Sequence, residues 1–220
     1  NGAGKSTLLS TLVGLRRPDA GTVRIDGVDP ATMTGPRLIG RIGLVPQDSS
    51  DLLTRDSVAE ECTDADRDAG MPHGSTQDLL ARIAPEISAQ THPRDLSEGQ
   101  RLALALSVVL VASPLVLLLD EPTRGLDYPT KERLSALLRD LAASGHAIVI
   151  ATHDVELAAE TATRVVVLAD GEIVADGPTA HVVIGSPLFA PQVAKILATA
   201  DGGDVPLTVA AVRDLLAVSG

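Results

Sequence analysis

The chain has 220 residues, of which 45% are hydrophobic and only 1% aromatic, so its core must consist of aliphatic side chains. This length allows one large domain, or one domain with a subdomain. The 29 acidic residues outnumber the 18 basic ones, which gives a formal charge of −11, and the absence of a basic run argues against nucleic acid as a main partner.

The first seven residues match the second half of a phosphate-binding loop, the Walker A motif. Glycines in this segment allow the backbone to curl so that successive N–H groups converge on an anion, and the apolar spacing that follows predicts a helix whose N-terminus attracts phosphate. Lys5 is expected to reach the β- and γ-phosphates, and Ser6 to place its hydroxyl on Mg²⁺. The predicted nucleotide-binding residues here are Asn1, Gly2, Ala3, Gly4, Lys5, Ser6 and Thr7.

The motif's first glycine would lie before Asn1. We therefore expect the chain to be part of a longer domain, without the strand that feeds this loop, and to bind ATP poorly by itself. The alternative, a glycine-rich helix cap that binds nothing, remains open for the loop alone.

Strand signals follow the first helix. Residues 22–26 predict a strand, with Asp26-Gly27 as a hairpin turn, and residues 41–45 predict a second strand that ends before Gln47. From residue 48 to residue 94 the sequence is more polar and less periodic, which indicates an inserted helical subdomain. Its helices are predicted at 57–68 and 76–83, with the lone cysteine, Cys62, as a buried or half-buried thiol in a reducing compartment.

An uncharged run at residues 102–119 could pass for a membrane span. Pro114 argues against that interpretation, because it divides the run into a helix of about a dozen residues and a short apolar strand of the kind used in a buried parallel sheet. Strand–helix alternation then continues and predicts an α/β fold with a mostly parallel sheet. Strands are predicted at 115–119, 147–151, 165–168 and 172–175, and helices at 129–143 and 155–161.

The domain organisation follows from this pattern. We predict one domain with a core at residues 1–47 and 95–180, a helical subdomain at 48–94 and a helical C-terminal extension at 181–220.

Two carboxylates, Asp120 and Glu121, end the apolar strand predicted at 115–119. This is the Walker B arrangement, and ligands of open α/β sheets lie beyond the carboxyl ends of the strands. Asp120 is expected to bind Mg²⁺, and Glu121 to polarise the attacking water as general base. A solvated acidic strand end is the alternative interpretation.

Taken together, the motifs resemble the ATP-binding cassettes of the ABC superfamily, with a P-loop NTPase core. The segment Leu-Ser-Glu-Gly-Gln at residues 96–100 is similar to the family signature, Gly125-Leu126-Asp127 to the D-loop, and Ala-Thr-His-Asp at 151–154 to the switch-histidine segment. The resemblance implies catalytic roles for Gln47 and His153, with Gln47 also near Mg²⁺. It adds Ser97, Gly99, Gln100 and Asp127 to the nucleotide-binding residues.

The same resemblance implies a dimer. In the family the signature helix closes over the nucleotide of a second cassette, head to tail, so two ATP molecules lie at the interface. Ser97 is also a good N-cap and Gln100 completes a capping box. Glu98 departs from the usual glycine and would bring a carboxylate near a γ-phosphate.

A narrower resemblance concerns residues 120–128 and 186–194, which look like the ATPases of energy-coupling factor transporters. In that family two cassettes, sometimes in one polypeptide, drive a membrane coupling subunit and a substrate-binding membrane subunit that import vitamins or metal ions. The implied location is the cytoplasmic face of the membrane. We further hypothesise that an acidic edge formed by Asp56, Glu60 and Glu61 docks basic residues of the membrane subunit.

Two other functions remain open from the sequence. One is a soluble ABC protein that acts in translation or DNA repair without a membrane partner. The other is a regulatory nucleotide-binding module with weak hydrolysis, against which the presence of Glu121 and His153 argues.

Overall fold

Eight α-helices and five β-strands lie in residues 3–184, the part of the chain that this computed structural model describes. The helices are α1 (Lys5–Leu12), α2 (Pro36–Ile39), α3 (Val58–Ala69), α4 (Ser75–Ile83), α5 (Glu98–Leu110), α6 (Tyr128–Ala143), α7 (Val155–Thr161) and α8 (Thr179–Ile184). The strands are β1 (Ile42–Val45), β2 (Val116–Asp120), β3 (Ala147–Ala151), β4 (Arg164–Ala169) and β5 (Glu172–Pro178). The helices predicted after residue 184 lie outside the described residues.

A parallel sheet with strand order β1-β2-β3 forms the centre of the fold. Its middle strand, β2, carries Leu117, Leu118 and Leu119, all of them fully buried. Because alternate side chains of a strand face opposite sides, Leu118 packs in the apolar cluster that includes α1, whereas its two neighbours pack in the cluster with α5, α6 and α7. The predicted α/β fold is confirmed, with helices covering both faces of the sheet.

The uncharged run at residues 102–119 divides as predicted. Helix α5 ends at Leu110, and β2 begins at Val116, two residues after Pro114. In residues 3–184 no helix has the length and apolar character needed to cross a membrane.

The second sheet is the antiparallel hairpin β4-β5. Its turn contains Asp170 and Gly171, with φ of 51° and 81°, so both central residues are left-handed as in the turns that suit the twist of a hairpin. The strands predicted at 165–168 and 172–175 are confirmed, and they pair with each other.

The strand predicted at residues 22–26 is wrong. Only an isolated bridge between Ile25 and Val28 forms, around a turn in which Asp26 and Gly27 have φ of 48° and 76°. The turn signal was therefore correct, but a strand also needs a partner along its length, and none of the described residues pairs with the rest of this segment.

The inserted helices α3 and α4 pack against α5 through a separate apolar cluster. Buried residues of this cluster include Val58 and Cys62 from α3, Leu80 from α4 and Leu104 from α5. Cys62 is 3% exposed, and burial, followed by the nearby charges of Asp66 and Glu61, raises the pKa of its thiol to about 11. The predicted buried thiol is confirmed.

Asp66 of α3 holds the start of α4. Helix α4 has no capping side chain of its own, and the buried carboxylate of Asp66 accepts hydrogen bonds from the Gly74 N–H (2.6 Å), the Thr76 N–H (2.8 Å) and the Thr76 hydroxyl (2.6 Å). Burial raises the pKa of Asp66, but these hydrogen bonds lower it by more, so the net shift is downward. The carboxylate is therefore ionised and serves as a cap supplied by the neighbouring helix.

Replacing Asp66 by alanine is expected to lower the free energy of unfolding by about 2–3 kcal/mol, because buried donors of α4 lose their acceptor. Since the pKa of Asp66 is lower in the folded protein, its contribution is complete above the unfolded pKa of about 4 and is lost as pH falls through the folded value. Urea denaturation at neutral and acidic pH measures both effects. Asp68→Ala, on the exposed side of the same helix, is the matched control, and equal losses in the two variants would contradict the capping role.

Candidate nucleotide site

The predicted catalytic residues follow the ends of neighbouring strands. Val45 pairs with Leu119, and Asp120 with Ala151, so the three parallel strands end at the same edge of the sheet. Gln47 follows β1, Glu121 follows β2, and His153 follows β3. Residues from three separate parts of the sequence therefore follow strands that end at one edge of the sheet, where open α/β sheets bind ligands.

The phosphate-binding loop lies beside this edge. Of its predicted residues, Asn1 and Gly2 lie outside the described part of the chain. Gly4 has φ of 92° and is the N-cap of α1, with no side chain that caps the helix. Among the described residues the first N–H groups of α1 thus have no side-chain acceptor, as an anion-binding helix N-terminus requires. Ser6 and Thr7 are exposed at this end.

Glu121 is the centre of the site. Its side chain is 8% exposed, Lys5 Nζ lies 3.4 Å from Oε1, and His153 Nδ1 lies 2.7 Å from Oε2. The Thr152 hydroxyl and the His153 backbone N–H also donate to Oε2, both at 3.3 Å. The structure therefore brings together the predicted loop lysine, general base and switch histidine.

The surroundings of Glu121 favour its ionised form. Burial raises the pKa of this carboxyl, but the hydrogen bonds from His153 and the positive charge of Lys5 outweigh that effect, and the net pKa lies below its usual value. Glu121 is thus a carboxylate at neutral pH, the form that can accept a proton from water.

The backbone at Glu121 is also unusual. Its φ is 50°, and its N–H donates to the Ala151 carbonyl at 2.7 Å. A left-handed conformation at a residue other than glycine costs free energy and persists where neighbouring contacts hold it, which is common at functional sites. The turn after β2 is therefore fixed by the adjacent strand β3.

Asp120 fits the predicted role of a metal ligand. Its Oδ1 atom is buried and has no hydrogen-bond partner among the described residues. A buried carboxylate oxygen without a partner is costly unless a cation or water satisfies it, and Mg²⁺ prefers oxygen ligands. The hydroxyl of Ser6, the other oxygen predicted to bind Mg²⁺ at the phosphate-binding loop, belongs to an exposed residue.

Gln47 differs from the other predicted catalytic residues in its hydrogen bonds. It is exposed, and within residues 3–184 no hydrogen bond joins it to Lys5, Glu121 or His153. Its neighbour Asp48 caps the 3-10 turn that follows, by accepting the Ser50 N–H at 2.9 Å. Gln47 thus lies between β1 and the helical insertion, without a hydrogen bond to the other catalytic candidates in residues 3–184.

The signature segment starts α5 with the predicted capping box. The Ser97 hydroxyl accepts the Gln100 N–H, and the Gln100 side chain accepts the Ser97 N–H at 3.0 Å. A Cβ on Gly99 would lie 3.0 Å from Thr130 Cγ2 on α6, so a side chain at this position would press on the Thr130 side chain. The segment therefore packs on the D-loop region, and no hydrogen bond or ion pair in the described residues links it to Glu121.

Glu98 has a clear local role. Its carboxylate pairs with Arg101 at 3.1 Å, and its Cγ lies 3.2 Å from the position of a Cβ on Gly125. Gly125 has φ of 75°, a left-handed conformation that favours glycine, and a side chain there would press on that of Glu98. Asp127, the predicted nucleotide-binding residue of the D-loop, caps α6 by accepting the Thr130 N–H at 3.0 Å, and its hydrogen bonds with Thr130 lower its pKa.

Sequence reasoning missed an ion pair next to the site. Lys131 Nζ on α6 lies 2.7 Å from Asp154 Oδ2, directly after His153. Asp154 is visible in the sequence as a residue suited to an N-cap before α7, a role that it has. Lys131 is 23 residues away in the chain, and only the folded structure shows that the two meet.

The acidic edge predicted from Asp56, Glu60 and Glu61 is partly wrong. Glu61 is 5% exposed and accepts the Arg55 backbone N–H, so it closes the turn before α3 instead of facing a partner. Burial raises its pKa. Asp56 and Glu60 remain exposed.

Comparison with known proteins gives the family. The family model described as "ABC transporter" matches residues 1–124, more than half of the chain. The chain belongs to the ABC transporter family. The cassette is also 63% identical over 218 residues to a protein of Streptomyces avermitilis named as an ABC transporter ATP-binding protein. The aligned region covers 99% of the chain but only 38% of that relative. The chain thus spans less than half the length of this relative.

Two further similarities are informative. The cassette is 32% identical to the energy-coupling factor transporter ATP-binding protein EcfA of Methanothermobacter thermautotrophicus, over 91% of the chain and 67% of that protein. It also superposes on a cassette solved as a dimer in a post-hydrolysis state with ADP and inorganic phosphate, with a TM-score of 0.69, 26% identity and coverage of 80% and 81% of the two chains. The ABC ATPase fold predicted from the motifs is confirmed.

Proposed function

We propose that this cassette binds and hydrolyses ATP in a dimer of cassettes, and that hydrolysis powers transport through membrane-embedded partner subunits. The observation that carries the proposal is the position of Glu121, an ionised carboxylate between Lys5 and His153 that directly follows Asp120, whose buried oxygen has no partner within residues 3–184. This arrangement provides a cation for phosphate, a base for water and an oxygen for a metal at one sheet edge.

The phosphates of ATP would lie at the open N-terminus of α1. Lys5 would then exchange its contact with Glu121 for the β- and γ-phosphates, which frees one carboxylate oxygen to accept a proton from the attacking water. His153, which lies at hydrogen-bond distance from the other oxygen, keeps the carboxylate oriented. Mg²⁺, held by Ser6, Asp120 and, after its loop moves, Gln47, would neutralise phosphate charge.

A head-to-tail dimer would complete the site. Ser97, Gly99 and Gln100 start α5 on the D-loop side of the molecule, without contact to the Glu121 cluster of the same chain. We infer that they, together with Asp127, act on the nucleotide of a second cassette, in the same or a fused chain. The dimeric structure of the similar cassette with ADP and phosphate supports this assembly.

The partners we propose are a transmembrane coupling subunit and a substrate-binding membrane subunit, as in energy-coupling factor transporters, with a vitamin or metal ion as the imported solute. The similarity to EcfA supports this choice. The cassette would then work at the cytoplasmic face of the membrane. We further propose that it forms one domain, with its core at residues 1–47 and 95–180, the helical subdomain at 48–94 and the extension at 181–220. Asp56 and Glu60 remain available for docking basic residues.

The test uses the complete protein. We expect Mg²⁺-dependent release of phosphate from ATP, and we expect membrane proteins to copurify with it from detergent extracts of its own cells. Hydrolysis without membrane partners would favour a soluble ABC protein, and copurification without hydrolysis would favour a regulatory nucleotide-binding module. Absence of both results would contradict the proposal.

A further inference from the structure

The ion pair between Lys131 and Asp154 lies next to the candidate site but has no role in the function proposed above. The side chain of Asp154 is 13% exposed, and its two oxygens have separate partners. Oδ2 accepts from Lys131 Nζ at 2.7 Å, and Oδ1 accepts the Leu157 N–H at 3.1 Å, which starts α7. Although burial raises the pKa of Asp154, its hydrogen bonds with Lys131 and Leu157 lower it by more, so the carboxyl group of Asp154 is ionised at neutral pH.

Two hydrogen bonds through the Thr152 hydroxyl connect the backbone of Asp154 to the carboxylate of Glu121. Its backbone N–H donates to the Thr152 hydroxyl at 2.9 Å, and that hydroxyl donates to Glu121 Oε2. His153, between the two, contacts the same carboxylate oxygen with its ring and its backbone. A shift of Asp154 would therefore change the positions of the Thr152 and His153 groups that contact the Glu121 carboxylate.

Lys131 belongs to a different part of the cassette. It lies one turn into α6, and its backbone N–H donates to the carbonyl of Asp127, the residue that caps this helix. The same helix start packs against the signature segment, through Thr130 beside Gly99. The ion pair thus joins the helix that carries the D-loop to the segment that carries His153.

The pair is not needed to hold α6 and α7 together. Further along these helices the Ser135 hydroxyl donates to Glu160 Oε2 at 3.1 Å, and Arg139 donates to the Glu160 carbonyl at 3.4 Å. The ammonium of Lys131 is also partly exposed, and ion pairs of this kind contribute little to stability. A merely structural Lys131 would therefore have little effect when removed.

We propose that Lys131 is a positioning residue, which holds Asp154 and, through the Thr152–His153 segment, the carboxylate of Glu121 in alignment with the helix that begins at Asp127. The inference rests on the proposed ATP hydrolysis. It implies that arrival of a second cassette at the D-loop is transmitted to Glu121 through α6.

The test is Lys131→Met in the complete protein. Because small displacements of catalytic groups reduce rates strongly, we expect kcat for ATP hydrolysis to fall roughly 10- to 100-fold while KM changes less than about threefold. Lys131→Arg, which keeps the charge and can reach Asp154, should retain most of the wild-type kcat. Thermal melts check that each variant is folded.

Two controls separate positioning from packing and from charge. Ser135→Ala removes another contact between α6 and α7, and Arg139→Met removes another cation from the same helix. Both should keep the wild-type kcat. A similar loss of kcat in either control, or an unchanged kcat in Lys131→Met, would overturn the inference while leaving ATP hydrolysis established in the wild type.

A double-mutant cycle gives the second readout. Asp154→Asn keeps the capping oxygen for α7 but removes the charge that Lys131 holds. If the two residues act as a unit, Lys131→Met adds no further loss of kcat to Asp154→Asn. If the fold losses of kcat in the two single variants multiply in the double variant, the residues act separately and the proposal is overturned. A wild-type protein that does not hydrolyse ATP would overturn this inference and the proposed function together.

Discussion

Replacing Glu121 by glutamine is expected to stop ATP turnover and to leave ATP binding intact. Glutamine keeps the shape of the side chain and its contacts with Thr152 and the His153 N–H, but it cannot accept a proton from water. Loss of a general base typically lowers the rate about 10²–10⁴-fold. Phosphate release measures turnover, and equilibrium binding of labelled ATP measures affinity.

The Glu121→Gln variant should also accumulate as a dimer in the presence of ATP and Mg²⁺, because binding continues without the hydrolysis that separates the two cassettes. Size-exclusion chromatography with and without nucleotide measures this change. Glu132→Gln, at an exposed position of α6, is the matched control and should behave like the wild type. Normal hydrolysis in Glu121→Gln would remove Glu121 from the role of base.

Replacing Lys5 by methionine is expected to weaken ATP binding by about 10²-fold, or roughly 3 kcal/mol, because the phosphates lose a charge-assisted partner in a partly enclosed site. The pKa of Glu121 should rise in this variant, since Lys5 is one of the groups that lower it. Calorimetric titration with ATP measures the affinity. Arg37→Met, which removes an exposed cation elsewhere, is the control, and equal affinity in the two variants would contradict the phosphate-binding role.

The sequence predicted most of the sheet and its functional edge. Periodicity and turn residues are local signals, so the pattern around Pro114 predicted the bounds of β2 within one residue and a helix before it. Ligands of open α/β sheets lie beyond the carboxyl ends of the strands, and this rule predicted that Asp120 and Glu121 belong to the functional edge. The role of His153 was implied by the resemblance of residues 151–154 to the switch-histidine segment, and only the structure shows its 2.7 Å contact with Glu121.

The parts that the sequence did not predict depend on contacts between distant residues. Residues 22–26 have the composition of a strand but pair only at Ile25, and Glu61 faces inward because the turn at Arg55 leaves a backbone N–H that needs an acceptor. The contact of Glu98 with Gly125 and the pair of Lys131 with Asp154 join separate elements. Neither has a periodic or compositional signal.

The buried thiol of Cys62 makes the helical insertion observable on its own. With a pKa of about 11 and 3% exposure, this thiol is almost entirely protonated and inaccessible at neutral pH, so alkylating reagents react with it only when α3, α4 and α5 separate. Cys62 is the only cysteine of the 220 residues. The rate of its modification therefore measures how often this three-helix cluster opens, and a slower rate with ATP bound would show that the insertion tightens when the nucleotide site is filled.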